Sequence, residues 1–102
     1  MTNEKIIIHI AVEAILNLIP IYLAKRHDDL AVLQDAVAKG DFATVQDIGH
    51  KMKGSGGSFG LDRISEIGSN MEASAKVQDF PAIEQEIAEL IDYLERVEVV
   101  GQ

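Results

Sequence analysis

The sequence predicts an all-α fold, an antiparallel four-helix bundle with an N-terminal cap of extended chain and short helix. Three observations carry that prediction. Apolar residues recur at spacings of three and four through most of the chain, and strand-like alternation is confined to one N-terminal segment. Gly40-Asp41 and Asp79-Phe80-Pro81 punctuate the pattern where helices should end and begin. A chain of 102 residues has room for one domain of ordinary size. It divides into a cap segment over 1–19 and a four-helix bundle over 20–102.

In the lead-in from Lys5 to Val12, the residues Ile6, Ile8, Ile10 and Val12 alternate as in a strand, but no partner strand is visible downstream. An extended cover over the bundle is expected, followed by a short helix over about 12–18. Pro20 suits a helix start and not a helix interior, so a long helix is expected over 20–39 on the stripe Ile19, Leu23, Leu30, Leu33 and Val37. Arg26 falls on that stripe with His27 beside it, either because the helix projects past the bundle there or because the Arg stem snorkels. A second helix over 41–59 follows from Phe42, Val45, Ile48, Met52 and Phe59. The third, over 61–78, places Leu61, Ile64, Ile67, Gly68, Met71 and Ala75 on one face and Ser65, Ser69, Glu72 and Lys76 on another. The fourth, over 80–97, alternates Phe80, Ile83, Ile87, Leu90, Leu94 and Val97 with an acidic outer face of Glu84, Glu86, Glu89, Glu95 and Glu98. Phe42, Ile48, Met52, Phe59, Ile64, Met71, Ile87 and Leu94 are the expected buried set.

Composition narrows the function. Seventeen acids against nine bases give a net charge of -8, which opposes attraction to nucleic-acid phosphates or anionic lipid. With two Tyr, three Phe and no Trp, a stacking platform for single strands is also absent. No apolar run approaches the ~18 residues of a membrane span. The first twenty residues lack the basic start, clean apolar stretch and cleavage site of an export signal. The absence of cysteine removes disulfides, thiolate nucleophiles and Cys-based metal sites and fits a reducing cytoplasm. Protein partners are the expected ones, met by a monomer.

The unusual segment runs from Gly49 to Gly60 and holds four of the chain's eight glycines between 54 and 60. Glycine costs a helix about 1 kcal/mol relative to Ala, so this density needs an offsetting reason. On a helical wheel Met52 sits near the centre of the apolar stripe and His50 roughly 150° from it, facing solvent. Gly54 and Gly57 fall within about 40° of His50 and Lys53 about 60° to one side. Bare backbone permits close approach by another macromolecule. A neutral imidazole offers one ring nitrogen as a phosphoryl acceptor, and a lysine one turn on could pair with phosphoryl oxygens. A solvated histidine beside packing glycines is the plain alternative; the joint presence of imidazole, bare backbone and cation on one face favours chemistry.

Other motifs carry less. A phosphate-binding loop needs Gly-Lys-Ser/Thr after a strand, whereas Gly54 is followed directly by Ser55 within a helical pattern. His9, His27 and His50 lack any spacing for a shared metal site, so His9 reads as a lead-in surface residue and His27 as a helix-flank residue. Ser55, Ser58, Ser65 and Ser69 have no acid-base arrangement that would suggest a hydrolase.

The run His50-Lys51-Met52-Lys53-Gly54-Ser55, followed by Phe59-Gly60-Leu61 and Ile64, resembles the signature of histidine-containing phosphotransfer (HPt) domains over about 20–97. The resemblance implies that His50 is phosphorylated, that Lys53 stabilises the phosphoryl group, and that Gly54 gives partners access. Gly57, Lys51, Gln46 and Lys76 complete the expected partner-binding set. Some relatives carry an amide where Glu72 stands, so Glu72 has no role by resemblance, and its carboxylate is expected to repel phosphate. Met52 replaces a more usual Leu, a volume-conserving change on the buried face. The implied partners are receiver domains of response regulators or a hybrid histidine kinase in a bacterial two-component phosphorelay. Magnesium is expected on the receiver, with no metal or cofactor on this chain. Such a protein is a phosphocarrier without turnover of its own; the alternative is a module that docks a receiver or kinase without taking phosphate.

Overall fold

The computed structural model describes residues 4–102, so the first three residues of the expected cap lie outside the description. The chain is mostly helical. It runs from strand β1 (Ile6–Ile10) through helices α1 (Glu13–Lys39), α2 (Phe42–Ser55), α3 (Asp62–Lys76) and α4 (Phe80–Arg96) to strand β2 (Val97–Gly101). Among the described residues, no helix is long and apolar enough to cross a membrane.

Local chemistry sets most boundaries where the sequence places them. Gly40 ends α1 at φ 68°, a left-handed conformation that favours glycine, with its N–H on the Val37 carbonyl. Asp41 caps α2 by accepting from the Thr44 N–H at 3.1 Å, and Asp79 caps α4 by accepting from Ala82 at 3.2 Å. Pro81 occupies the first turn of α4, where a missing N–H costs nothing.

Several expectations are corrected. The short helix over 12–18 and the helix over 20–39 are one helix, α1, which runs through Pro20. An interior proline costs a helix about 3 kcal/mol, and burial of Ile19 and Tyr22 on either side of it holds the two halves together. The lead-in does have a partner. β1 pairs in parallel with β2, in the register Ile6↔Val97 to Ile10↔Gly101, and the entire helical part of the chain is the crossover between them. Val97, Val99 and Val100 are β-branched and leave the helix for this ladder at Arg96. The second helix stops at Ser55 instead of 59, and a single 3-10 turn over Gly57–Phe59 leads to Gly60 at φ 77°. There a Cβ on Gly56 would lie 2.6 Å from the Ser65 nitrogen, while the Gly57 N–H donates to Ser65 Oγ at 2.7 Å. The glycine run is thus a turn pressed against the start of α3.

Two further corrections concern polar groups. Arg26 neither projects nor snorkels: it is buried, its guanidinium 4.7 Å over the Tyr22 ring and its Nε 2.8 Å from Asp29 in an ion pair. Tyr22 in turn stacks on Phe59, with centroids 4.4 Å apart, and hydrogen-bonds Ser55 Oγ at 2.7 Å, which ties α1 to the end of α2. Glu86, expected on the acidic outer face, is buried between α3 and α4, where Ser74 Oγ donates to it at 2.9 Å and burial raises its carboxyl pKa.

The core draws on all four helices, with Leu33, Met52, Leu61, Ile64, Ile67, Met71, Ile83 and Leu90 sealed from solvent. Of the expected buried set, Ile48, Met52, Ile64, Met71, Ile87 and Leu94 are buried, whereas Phe42 and Phe59 are half-buried against the core. Ile10 of β1 joins the core, so the small sheet closes one end of it. α1 packs on α2 and α4, α3 packs on α2 and α4, and the contact between α2 and α3 is the most extensive.

Candidate functional site

The α2–α3 contact is close because two glycines make it so. A Cβ on Gly49 would sit 2.8 Å from the Glu72 nitrogen, and one on Gly68 would sit 2.6 Å from the Lys53 nitrogen and from Met52 Cβ. The helices therefore meet backbone to backbone at Gly49 and Gly68. One helical turn beyond Gly49 stands Lys53, and one turn beyond Gly68 stands Glu72. The crossing thereby delivers a lysine and a glutamate to the surface beside His50.

There His50 Nδ1 lies 2.8 Å from Glu72 Oε2, and Lys53 Nζ donates to Glu72 Oε1 at 3.4 Å. The His50 side chain is 69% exposed and that of Glu72 only 11%, so a partly sheltered carboxylate holds an open ring from beneath. Burial would raise the Glu72 carboxyl pKa, but the His50 hydrogen bond, the Lys76 charge and the Lys53 contact outweigh it, and the net direction is down. A carboxyl lowered on folding adds stability that is full above the ordinary carboxylate range and is lost as pH falls through the lowered value. At neutral pH the carboxylate only accepts, so Nδ1 carries the proton and donates it, and the lone pair of the neutral ring resides on Nε2.

The other predicted site residues divide. Gln46, one turn before His50, lines a shallow depression with Ala43, Asp47, His50 and Glu72. Lys76 acts on this cluster through its charge at Glu72. Lys51 lies on the exposed flank and pairs with Asp47 at 3.0 Å, one turn back on the same helix. At Gly54 an added Cβ would meet nothing within 4 Å, so the backbone one turn beyond His50 is open. Gly57 lies past the end of α2, in the 3-10 turn, so the wheel that placed it beside His50 does not reach it. His9 and His27 are exposed on β1 and α1.

The residue that the sequence reading left without a role is Glu72. Its carboxylate is in hydrogen-bond contact with the imidazole. The available signal was a pair of glycines, Gly49 and Gly68, each placed where two helices could cross and each followed one turn later by a charged residue.

A family model described as the Hpt domain matches residues 17–99. Comparison with curated proteins and with solved structures returns no match. Hpt domains serve histidine phosphotransfer in phosphorelays, where they meet receiver domains and kinases. The matched span runs from α1 into β2 and takes in all of the His50 cluster; the chain belongs to the Hpt domain family.

Proposed function

We propose that this chain is a phosphocarrier in which His50 takes a phosphoryl group from the phospho-aspartate of one receiver domain and returns it to the aspartate of another. The observation that carries the reading is the exposed imidazole with Nδ1 held by Glu72, which leaves Nε2 as the free nucleophile. In the accepting step the Nε2 lone pair forms the N–P bond, the aspartyl O–P bond breaks, and its electrons return to the carboxylate. The carrier has no turnover of its own. Of the two carboxylates beside His50, Glu72 is engaged by His50 and Lys53 and Asp47 by Lys51, a poor fit to a magnesium site, so the metal belongs to the receiver. The ring of contacts α1–α2–α3–α4–α1 supports an antiparallel four-helix bundle as the scaffold.

Incubation with a phosphorylated receiver tests the proposal. Label should move to this chain as a phosphoramidate, labile in acid and persistent in base. Stable binding without any label transfer would favour the docking module instead.

Lys53 is half-exposed and held by Glu72 at 3.4 Å, within reach of a group on the neighbouring ring. Lys53→Ala should slow transfer by about tenfold to a thousandfold, the range for loss of one charge contact to a developing anion, with little change in melting. An unchanged rate, alongside a defect in Lys76→Ala, would move the role to Lys76.

Gly54 gives a second expectation. Gly54→Ala should hold or raise the melting temperature, since the site is helical and open and Ala gains up to about 1 kcal/mol of propensity. Gly54→Gln should weaken receiver binding and transfer while circular dichroism and melting stay near normal. Normal binding by the Gln variant would remove Gly54 from the docking surface.

A further inference from the structure

We propose that the cleft between β1, the start of α3 and the end of α4 binds a small aliphatic ammonium, with Asp62 receiving the charge, the Tyr93 hydroxyl as a second polar contact, and Ile6 and Ile8 as the wall for the apolar stem. The cleft has a volume of about 460 Å³, within the range of small-molecule sites. It shares no lining residue with the depression at His50, so binding there is tested without any phosphoryl group.

The fold leaves one buried polar group over at this place. Tyr93 is 3% exposed, and its hydroxyl has no hydrogen-bond partner among the described residues. A buried group without a partner is costly, and a ligand that meets it recovers the bond. Burial, and after it the Asp62 charge, raises the phenol pKa, so at neutral pH the ring keeps its O–H and offers both a donor and an acceptor. Asp62 and Tyr93 face a common space: both line the cleft, and the charge of one acts on the hydroxyl of the other.

The lining also leaves one charge over. Arg63 commits Nη1 to Glu66 at 2.6 Å and Nη2 to Glu89 at 3.1 Å. Arg96 commits Nη1 to Asp92 and Nε to the Glu4 carbonyl, both at 2.8 Å. The two guanidiniums are thereby matched to Glu89 and Asp92, whereas the third carboxylate, Asp62, has no ion pair or hydrogen bond among the described residues. A cation suits that anion. A ligand carboxylate would meet Asp62 as a like charge, with both arginines already engaged. Among the described residues no three His, Cys, Asp or Glu side chains converge as a metal site, so the cation is organic. Ile6 and Ile8, half-buried on one face of β1, supply the surface for an alkyl stem.

Titration of the full chain with n-butylammonium chloride, followed by amide NMR, tests the site. An amine of about five heavy atoms supports a Kd near 1 mM. The amides of Ile6, Ile8, Asp62 and Tyr93 should shift and saturate together, with His50 and Lys53 unmoved. At about ten times the Kd the folded chain is favoured about elevenfold, and the melting temperature should rise by roughly 5–10 °C. Asp62→Asn keeps the shape and removes the charge, and should weaken binding by about tenfold to a hundredfold. Tyr93→Phe removes the unpartnered hydroxyl; it should melt at or above wild type without ligand and bind the amine about tenfold more weakly. The zwitterion γ-aminobutyrate, a similar stem ending in a carboxylate, should bind more weakly than the amine. Shifts that never saturate, or that sodium chloride reproduces at equal ionic strength, overturn the site. Undiminished binding in Asp62→Asn overturns the choice of anion, and tighter binding of γ-aminobutyrate overturns the choice of a cation. A ligand-free Tyr93→Phe that melts lower and binds the amine as wild type does would show that the hydroxyl serves the fold and not the ligand.

Discussion

His50→Gln is expected to abolish phosphoryl uptake from a phosphorylated receiver, with no measurable residue of transfer and a melting curve close to wild type. Glutamine is polar and of similar reach, and its amide N–H can still donate to Glu72, so the surface of α2 keeps its contact with α3. The ring is 69% exposed, so its loss leaves no cavity. What disappears is the nucleophile, since an amide nitrogen has its lone pair delocalised into the carbonyl and forms no phosphoramidate. His9→Gln and His27→Gln, on exposed positions of β1 and α1, should take up label at the wild-type rate. Label retained by His50→Gln would end the phosphocarrier reading, whichever other residue carried it.

The contrast among these three histidines was readable from the sequence because it depends on local periodicity. His50 stands opposite a stripe whose members Val45, Ile48 and Met52 are all buried, and a helical wheel needs nothing beyond the segment itself to show that. The caps at Asp41 and Asp79 and the left-handed Gly40 are local in the same sense. Features that the sequence reading missed depend on partners distant along the chain. β2 hides because Val97 continues the helical spacing of Leu94, and its pairing partner Ile6 lies at the opposite end of the chain. Arg26 looks misplaced on an apolar stripe until Tyr22 and Asp29 close around it, with Ser55 of α2 nearby. Glu86 reads as one more acid on an acidic face until Ser74 of α3 meets it. Glu72 is another instance of the same limit. Its contact with His50 exists only when α3 crosses α2 closely enough to bring a carboxylate under a ring twenty-two positions earlier in the chain.

That closeness leads to the second large effect, in Gly68→Ala. A methyl group there would lie 2.6 Å from the Lys53 nitrogen and Met52 Cβ and 2.7 Å from the Gly49 carbonyl oxygen. None of these is the far end of a flexible side chain, so the helices must move apart. Overpacking of this kind costs about 1–3 kcal/mol and at times more, and the ~1 kcal/mol of helix propensity gained by Ala offsets only part of it. A net loss of ~1–2 kcal/mol should lower the melting temperature by roughly 4–15 °C in a domain of this size. Gly54→Ala is the matched control, the same change on an open helical surface, and it should melt at or above wild type. The functional consequence exceeds the thermal one. Separating α2 from α3 lengthens the His50–Glu72 contact, so phosphoryl transfer should fall even at temperatures where the variant is fully folded, and the Nδ1 proton of His50 should lose its hydrogen-bonded NMR signature. If Gly68→Ala melts like wild type and keeps that signature, the crossing tolerates a side chain, and the paired glycines are not what brings Glu72 to His50.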